Sequence, residues 1–283
     1  MTEALDPRRH AYRPDLAAAV LRGRVQAAHF VEGERREVID AQAPVRRHPA
    51  PDAPLDTEAL LGERVTVYEA TEEGWSWVQL ETDGYVGWLP SNALAPVGPS
   101  PTHKVAALRT LLFPGPSIKL PPVAAPSLGA RLAIARHVET FAVTANNLFV
   151  PARHLVPLDA TETDFVAVAE RFLGTPYLWG GRTSLGLDCS GLVQTALAAC
   201  GIAAPRDSDM QERELGAPVS LTPSAWRRGD LVFWKGHVAI VRDGETLLHA
   251  NAFHMAVAIE PIADALARIA DAGLEPTSVC RVR

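Results

Sequence analysis

Leu187-Asp188-Cys189-Ser190-Gly191-Leu192 is the segment on which the reading of this chain turns. The apolar run from Gly191 to Cys200, closed by Gly201, predicts a helix, and Asp188 ahead of it is a candidate N-cap. Cys189 is thereby expected at a helix N-terminus. Backbone N–H groups and the positive end of the dipole there should stabilise a thiolate, lower the thiol pKa and help hold an oxyanion after attack. A buried, inert thiol is the commoner fate of an intracellular cysteine. The polar neighbours Asp188 and Ser190, together with histidines downstream, point instead to a nucleophile. Cys200, in an Ala-rich helix end, and Cys280, beside the C-terminus, read as ordinary cysteines.

Around this segment the pattern is mixed. Asp164 to Leu173 carries helical spacing and stops at Gly174. Asp230-Leu231-Val232-Phe233-Trp234, His237-Val238-Ala239-Ile240-Val241 and Thr246-Leu247-Leu248-His249-Ala250 are short β runs separated by Gly-bearing turns, so residues 160–283 are expected to form an α+β domain. Of the nine histidines, His237 opens one strand and His249 closes the next. Adjacent antiparallel strands can bring the two together. A cysteine nucleophile needs a neutral imidazole to take its proton, and that imidazole needs a third polar group to fix its tautomer. Cys189, His237 and His249 are therefore the candidate triad.

Upstream, residues 1–30 read as an arm in which Leu16 to Leu21 is expected to form one or two helical turns. Arg64 to Tyr68, Trp75 to Leu80 and Tyr85 to Leu89 alternate and are rich in β-branched and aromatic residues, which predicts a small all-β barrel over 31–98. A weak repeat relates Leu61-Gly62-Glu63-Arg64 to Leu128-Gly129-Ala130-Arg131, and Gly87-Trp88-Leu89-Pro90 to Leu148-Phe149-Val150-Pro151, which predicts a second barrel over 99–159.

Composition narrows the class. With 47% hydrophobic and 21% charged residues over 283 positions, the chain is an ordinary multidomain globular protein. A net charge of -6 with scattered arginines gives no footprint for nucleic acid. Three cysteines without metal-ligand spacing favour a reducing compartment and argue against a disulfide or zinc framework. The opening residues show neither a signal-peptide core nor a membrane span, so a cytoplasmic location and no membrane partner are expected.

Residues 160–283 resemble the NlpC/p60 family of papain-like cell-wall cysteine peptidases. The resemblance is carried by Asp188-Cys189-Ser190-Gly191-Leu192-Val193, Gly229-Asp230-Leu231-Val232-Phe233, His237-Val238-Ala239-Ile240 and Pro176-Tyr177-Leu178-Trp179-Gly180-Gly181. It implies Cys189 as nucleophile, His237 as base, His249 as the third polar residue and Tyr177 at the oxyanion site. The first barrel resembles a bacterial SH3-like domain through Gly62-Glu63 and Asp83-Gly84-Tyr85-Val86-Gly87-Trp88. Two such domains before the peptidase are similar to the γ-D-glutamyl-L-diamino acid peptidases that recycle murein peptides, whose second signature is matched by Arg206-Asp207-Ser208. The likeness implies that Asp207, Ser208 and Tyr85 surround the free amine of an N-terminal L-Ala, with Glu63 and Trp179 lining the same pocket and Asp188 and Ser190 on the substrate side beside the nucleophile. From the residues alone, Asp207-Ser208 reads equally as a helix cap, and Tyr85 and Trp88 as barrel core.

The expected reaction is hydrolysis of the γ-D-Glu–diamino acid bond of a murein peptide through a thioester on Cys189, with no metal and no organic cofactor. Two other readings stay open: an exported endopeptidase acting on intact peptidoglycan stem peptides, and a non-catalytic scaffold whose SH3-like barrels bind peptides.

Overall fold

In the computed structural model the chain divides into two compact units, Met1–Asp159 and Ala160–Arg283, and residues 5–282 are described. The first four residues of the expected arm and the last of the expected peptidase domain lie outside the described residues.

The first unit is all β. Seven strands form one sheet in the order Leu55–Leu60, Gln42–Arg46, Val86–Pro90, Trp75–Leu80, Arg64–Ala70, Glu34–Val38, Leu94–Pro96, with antiparallel neighbours throughout. Alternation turns Val38, Val45, Val65, Val78, Leu80 and Leu89 into a single core, and Tyr85 packs among them. The segment expected to form one or two helical turns forms one, in its second half only. Leu16–Ala18 is a strand paired in parallel with His29–Val31, followed by one 3-10 turn, Ala19–Leu21. Tertiary packing decides this: Ala18 and Leu21 cover Trp77 and Trp88 in a cluster separate from the sheet's inner core, and the Arg13 guanidinium lies 4.2 Å from the Trp77 ring centre. Trp88 therefore sits under the arm, not in the inner core.

Two three-stranded sheets follow. One joins Arg131–Leu132, His103–Val105 and Leu155–Pro157; the other joins Ile134–Val138, Phe141–Thr144 and Phe149–Pro151. The hydrogen-bond pattern of the seven-stranded sheet recurs here. Gly62 donates to Val38 and Val38 to Glu63, just as Gly129 donates to Val105 and Val105 to Ala130. Both glycines are left-handed, at φ +79° and +88°. Val86–Pro90, a 3-10 turn and Leu94–Pro96 are likewise matched by Phe149–Pro151, a 3-10 turn and Leu155–Pro157.

The second unit is α+β. Its six-stranded antiparallel sheet runs Ala217–Val219, Ser278–Arg281, Asp230–Trp234, His237–Val241, Thr246–Asn251, Ala256–Pro261. Helix α1 (Phe165–Glu170) is shorter than its apolar pattern and is capped by Asp164, which accepts from the N–H groups of Val166 and Ala167. Helix α2 (Cys189–Ala199) packs on the strands His237–Val241 and Thr246–Asn251. Helices α3 (Ser208–Glu214) and α4 (Ile262–Asp271) complete the unit. Ile262, Ala265 and Ile269 of α4 share a core with Val232, Trp234, Ala239 and Leu247, so the strands present alternate residues to helices on either side. Among the described residues no helix is long and apolar enough to cross a membrane.

Candidate active site

The segment that carries Cys189 folds around one buried carboxylate. Asp188 is the N-cap of α2, its Oδ1 accepting from Gly191 N–H at 2.7 Å, while its Oδ2 accepts from Gly180 N–H at 2.8 Å. Arg206, 1% exposed, completes the arrangement. Its two terminal nitrogens donate to the two oxygens of Asp188 at 2.9 and 2.7 Å, and one also donates to Ser190 Oγ at 2.9 Å. A Cβ on Gly191 would meet the Gly181 carbonyl at 2.2 Å, so only glycine permits this approach of the first helical turn to the preceding loop. Asp188 and Ser190 were expected on the substrate side of the cleft. The structure engages both within the protein, where they fix the position of Cys189.

The sheet opens to receive the thiol. Pairing between the two histidine-bearing strands is confined to Ile240↔Leu248 and Val241↔Leu247, and nearer the His237 end Val238 N–H is left to bond the Cys189 sulfur. Across the parted ends, His237 Nε2 and His249 Nδ1 are 2.9 Å apart. His249 Nε2 lies 2.8 Å from Glu260 Oε1, and Arg268 Nη2 donates to the same oxygen. Phe253 stacks on that guanidinium, 4.5 Å from its ring centre. The structure thus gathers Cys189, His237 and His249, and extends the line to Glu260 and Arg268.

The electrostatics depart from expectation. The Cys189 thiol is not lowered by its place at the helix start; burial, then the Asp188 carboxylate, pushes it up to about 12, against the opposing effects of the Val238 and Ser190 amides. Desolvation outweighs the dipole because the sulfur is almost wholly enclosed. Burial and the positive charge of Arg268 push His237 down to about 3, and burial also lowers His249. Glu260 is held down at about 2 by His249 and Arg268 despite its own burial. The resting pair is a neutral thiol and a neutral imidazole. Tyr177 is pushed up to about 12, chiefly by burial and also by the Asp188 carboxylate, so its hydroxyl stays a hydrogen-bond donor close to the sulfur.

The remaining candidates divide between the units. Helix α3 is tied to the Cys189 turn through Gln211, whose side-chain amide donates to the Ser190 carbonyl at 3.0 Å. Asp207 and Ser208 stand at the start of that helix, half-buried, and the Asp207 side chain makes no capping bond to it. Asp207 thus occupies the N-cap position through its backbone. Trp179 is 61% exposed on the loop before α2. Tyr85 and Glu63 lie in the first unit. Tyr85 is 4% exposed within the sheet core, and the buried Glu63 carboxylate accepts from Leu60 N–H and the Thr82 hydroxyl.

Sequence reading missed Arg206, Glu260 and Arg268. A lone acid in the apolar strand Ala256–Pro261 was the available signal for Glu260; Arg206 was read only as part of a signature. His249, His254 and Glu260 offer ligand atoms within 4.8 Å of one another. The Glu260 oxygen already accepts from an arginine there, which makes the group a hydrogen-bonded relay and a poor cation site.

The NlpC/P60 family pattern matches residues 174–268, and that of the bacterial dipeptidyl-peptidase Sh3 domain matches residues 45–94. A γ-D-glutamyl-L-lysine dipeptidyl-peptidase of Bacillus subtilis is 30% identical over 223 residues, covering 70% of this chain and 73% of the relative. The Bacillus cereus protein of the same name is 27% identical over 242 residues, covering 74% and 71%. A crystal structure of an NlpC/P60 family protein from Bacillus cereus superposes with a TM-score of 0.73 at 22% identity over 88% of this chain and 99% of that one, a likeness of fold. With a cysteine at a helix start and a histidine pair of this geometry, behind an N-terminal SH3-like domain, the chain belongs to the NlpC/P60 family of cysteine peptidases.

Proposed function

We propose that this peptidase hydrolyses the γ-D-glutamyl–L-diamino acid bond of murein peptides that carry a free N-terminal L-Ala, in cytoplasmic recycling of cell-wall peptides. The observation that carries the reading is the 2.9 Å contact of His237 with His249 beside a sulfur bonded by the Val238 amide. The names of the two Bacillus relatives support the bond.

Chemically, Cys189 Sγ attacks the γ-carbonyl carbon of D-Glu as His237 Nδ1 takes the thiol proton. Because thiol and imidazole both rest neutral, the proton moves as the S–C bond forms. Tyr177 and the first-turn amides of α2 face the oxyanion. His237 returns the proton to the leaving amine, and water then releases the acyl group from Cys189.

The recognition end is assigned to Asp207 and Ser208, an acid and a hydroxyl for the substrate ammonium, with Trp179 on the rim. We read the first unit as two SH3-like barrels in tandem because its turn and strand pattern repeats, with Tyr85 and Glu63 enclosed within that unit. An ammonium taken from water needs a carboxylate partner, which limits the enzyme to unblocked peptides. Incubation with free and N-acetylated murein tri- and tetrapeptides, with products identified by mass, tests the bond and the need for the amine together. Cleavage of the acetylated peptides at the rate of the free ones would remove the amine from the account.

A further inference from the structure

We infer that Glu260 is a positioning residue that sets the tautomers of both active-site histidines, and that Arg268 holds it in the form able to do so. The inference rests on the proposed pairing of Cys189 with His237 and adds the group that directs it.

Two contacts carry the argument. Glu260 Oε1 lies 2.8 Å from His249 Nε2, and it also receives Arg268 Nη2. An ionised carboxylate accepts hydrogen bonds and donates none, so His249 must carry its proton on Nε2. His249 is neutral, because burial disfavours its charged form, and its Nδ1 is therefore a bare acceptor. The partner of that acceptor at 2.9 Å is His237 Nε2, which must then be the donor. His237 is neutral as well, so its second nitrogen, Nδ1, is unprotonated and is the base available to the thiol.

One carboxylate thus determines the protonation of four ring nitrogens. The opposite setting, with the proton on His249 Nδ1, would force His237 Nε2 to accept and place a proton on the nitrogen that must be bare for catalysis. Arg268 contributes in two ways. Its charge keeps Glu260 ionised, and together with His254 it opposes protonation of His249, so the pair does not convert to an imidazolium that could donate from both nitrogens. Phe253 against the guanidinium holds the arginine over the carboxylate.

Both donors converge on the same oxygen, which distinguishes the substitutions. In Glu260→Gln the amide oxygen can occupy the Oε1 position and accept from both groups. In Glu260→Ala nothing selects the tautomer. Histidine-labelled enzyme examined by long-range ¹H–¹⁵N NMR at neutral pH reads the tautomers without substrate, and hydrolysis of the murein tripeptide reads their consequence.

Wild type and Glu260→Gln should show Nε2–H for both rings, with kcat of the Gln variant within about ten-fold of wild type. Glu260→Ala should show mixed or Nδ1–H tautomers and lose at least about ten-fold in kcat with KM little changed. A wild-type spectrum with Nδ1–H on His249 overturns the inference, even if the Ala variant fails to fold. So does an Ala variant with wild-type tautomers and rate, or a Gln variant that keeps both tautomers yet loses activity as the Ala variant does. Wild-type enzyme inert on the peptide would count against the proposed function, while the spectra still decide the role of Glu260.

Discussion

Replacing Arg206 by Met removes one partner of a buried ion pair and leaves the other in place. Asp188 would keep its bonds from Gly180 N–H, Gly191 N–H and Ser190, but its charge would be uncompensated in a site that excludes water. Breaking such a pair from one side typically costs about 3–5 kcal/mol. For a unit of roughly 120 residues the unfolding entropy is about 0.25 kcal/mol per kelvin, so the second unit should melt about 12–20 °C lower. Urea unfolding followed by tryptophan fluorescence gives the free energy directly, since Trp226 and Trp234 are buried in that unit. The double variant Asp188→Asn with Arg206→Met should be more stable than Arg206→Met alone, because an Asn oxygen can still accept from Gly191 N–H and no charge is left unpaired. The reasoning is refuted if the single variant loses under about 1 kcal/mol, or if the double variant is no more stable than the single one.

Other consequences follow from the same geometry. Alkylation of Cys189 by iodoacetamide should accelerate steadily from pH 5 to 9, since burial raises the thiol; a rate already level on the acid side would show a preformed thiolate. The second unit should lose stability as pH falls below about 6.5, because the unfolded histidines take up protons that the lowered, buried His237 and His249 refuse; each contributes up to about 1.4 kcal/mol per pH unit, and Glu260 adds to the loss between about 4.5 and 2. Chemical denaturation across this range should show the fall, and a flat profile would contradict the lowered values. Asp207→Asn should depress kcat/KM on free-amine peptides by roughly thirty-fold, and N-acetylation of the substrate should then add little further loss; strictly additive losses would show that Asp207 does not read the amine.

Much of the catalytic turn was legible because its signals are local. An acid before a small-residue helix start sets the cap, and two short strands with histidines at facing ends set the pair. Their chemistry was less legible. The helix-start argument predicts a lowered thiol pKa, whereas the enclosure of the sulfur and the charge of Asp188 raise it, and enclosure is a property of the folded unit. Arg206 and Arg268 act through contacts 18 and 8 residues away in sequence, with Asp188 and Glu260 respectively, and no spacing rule singles them out. The arm shows the same limit. Its Ala- and Leu-rich stretch has helical propensity, but a strand and a single turn cover Trp77 and Trp88 better. The barrel-core alternative for Tyr85, the residue just before the strand Val86–Pro90, describes its packing.

Cleavage of L-Ala-γ-D-Glu-L-Lys and of its meso-diaminopimelate counterpart by wild type and by Cys189→Ala, with products weighed by mass spectrometry, tests the central claim most directly. The wild type should release L-Ala-γ-D-Glu and the free diamino acid, while the Ala variant, folded as judged by its urea transition, should release neither. Cleavage at a different bond by the wild type, or undiminished cleavage by the variant, would contradict the account.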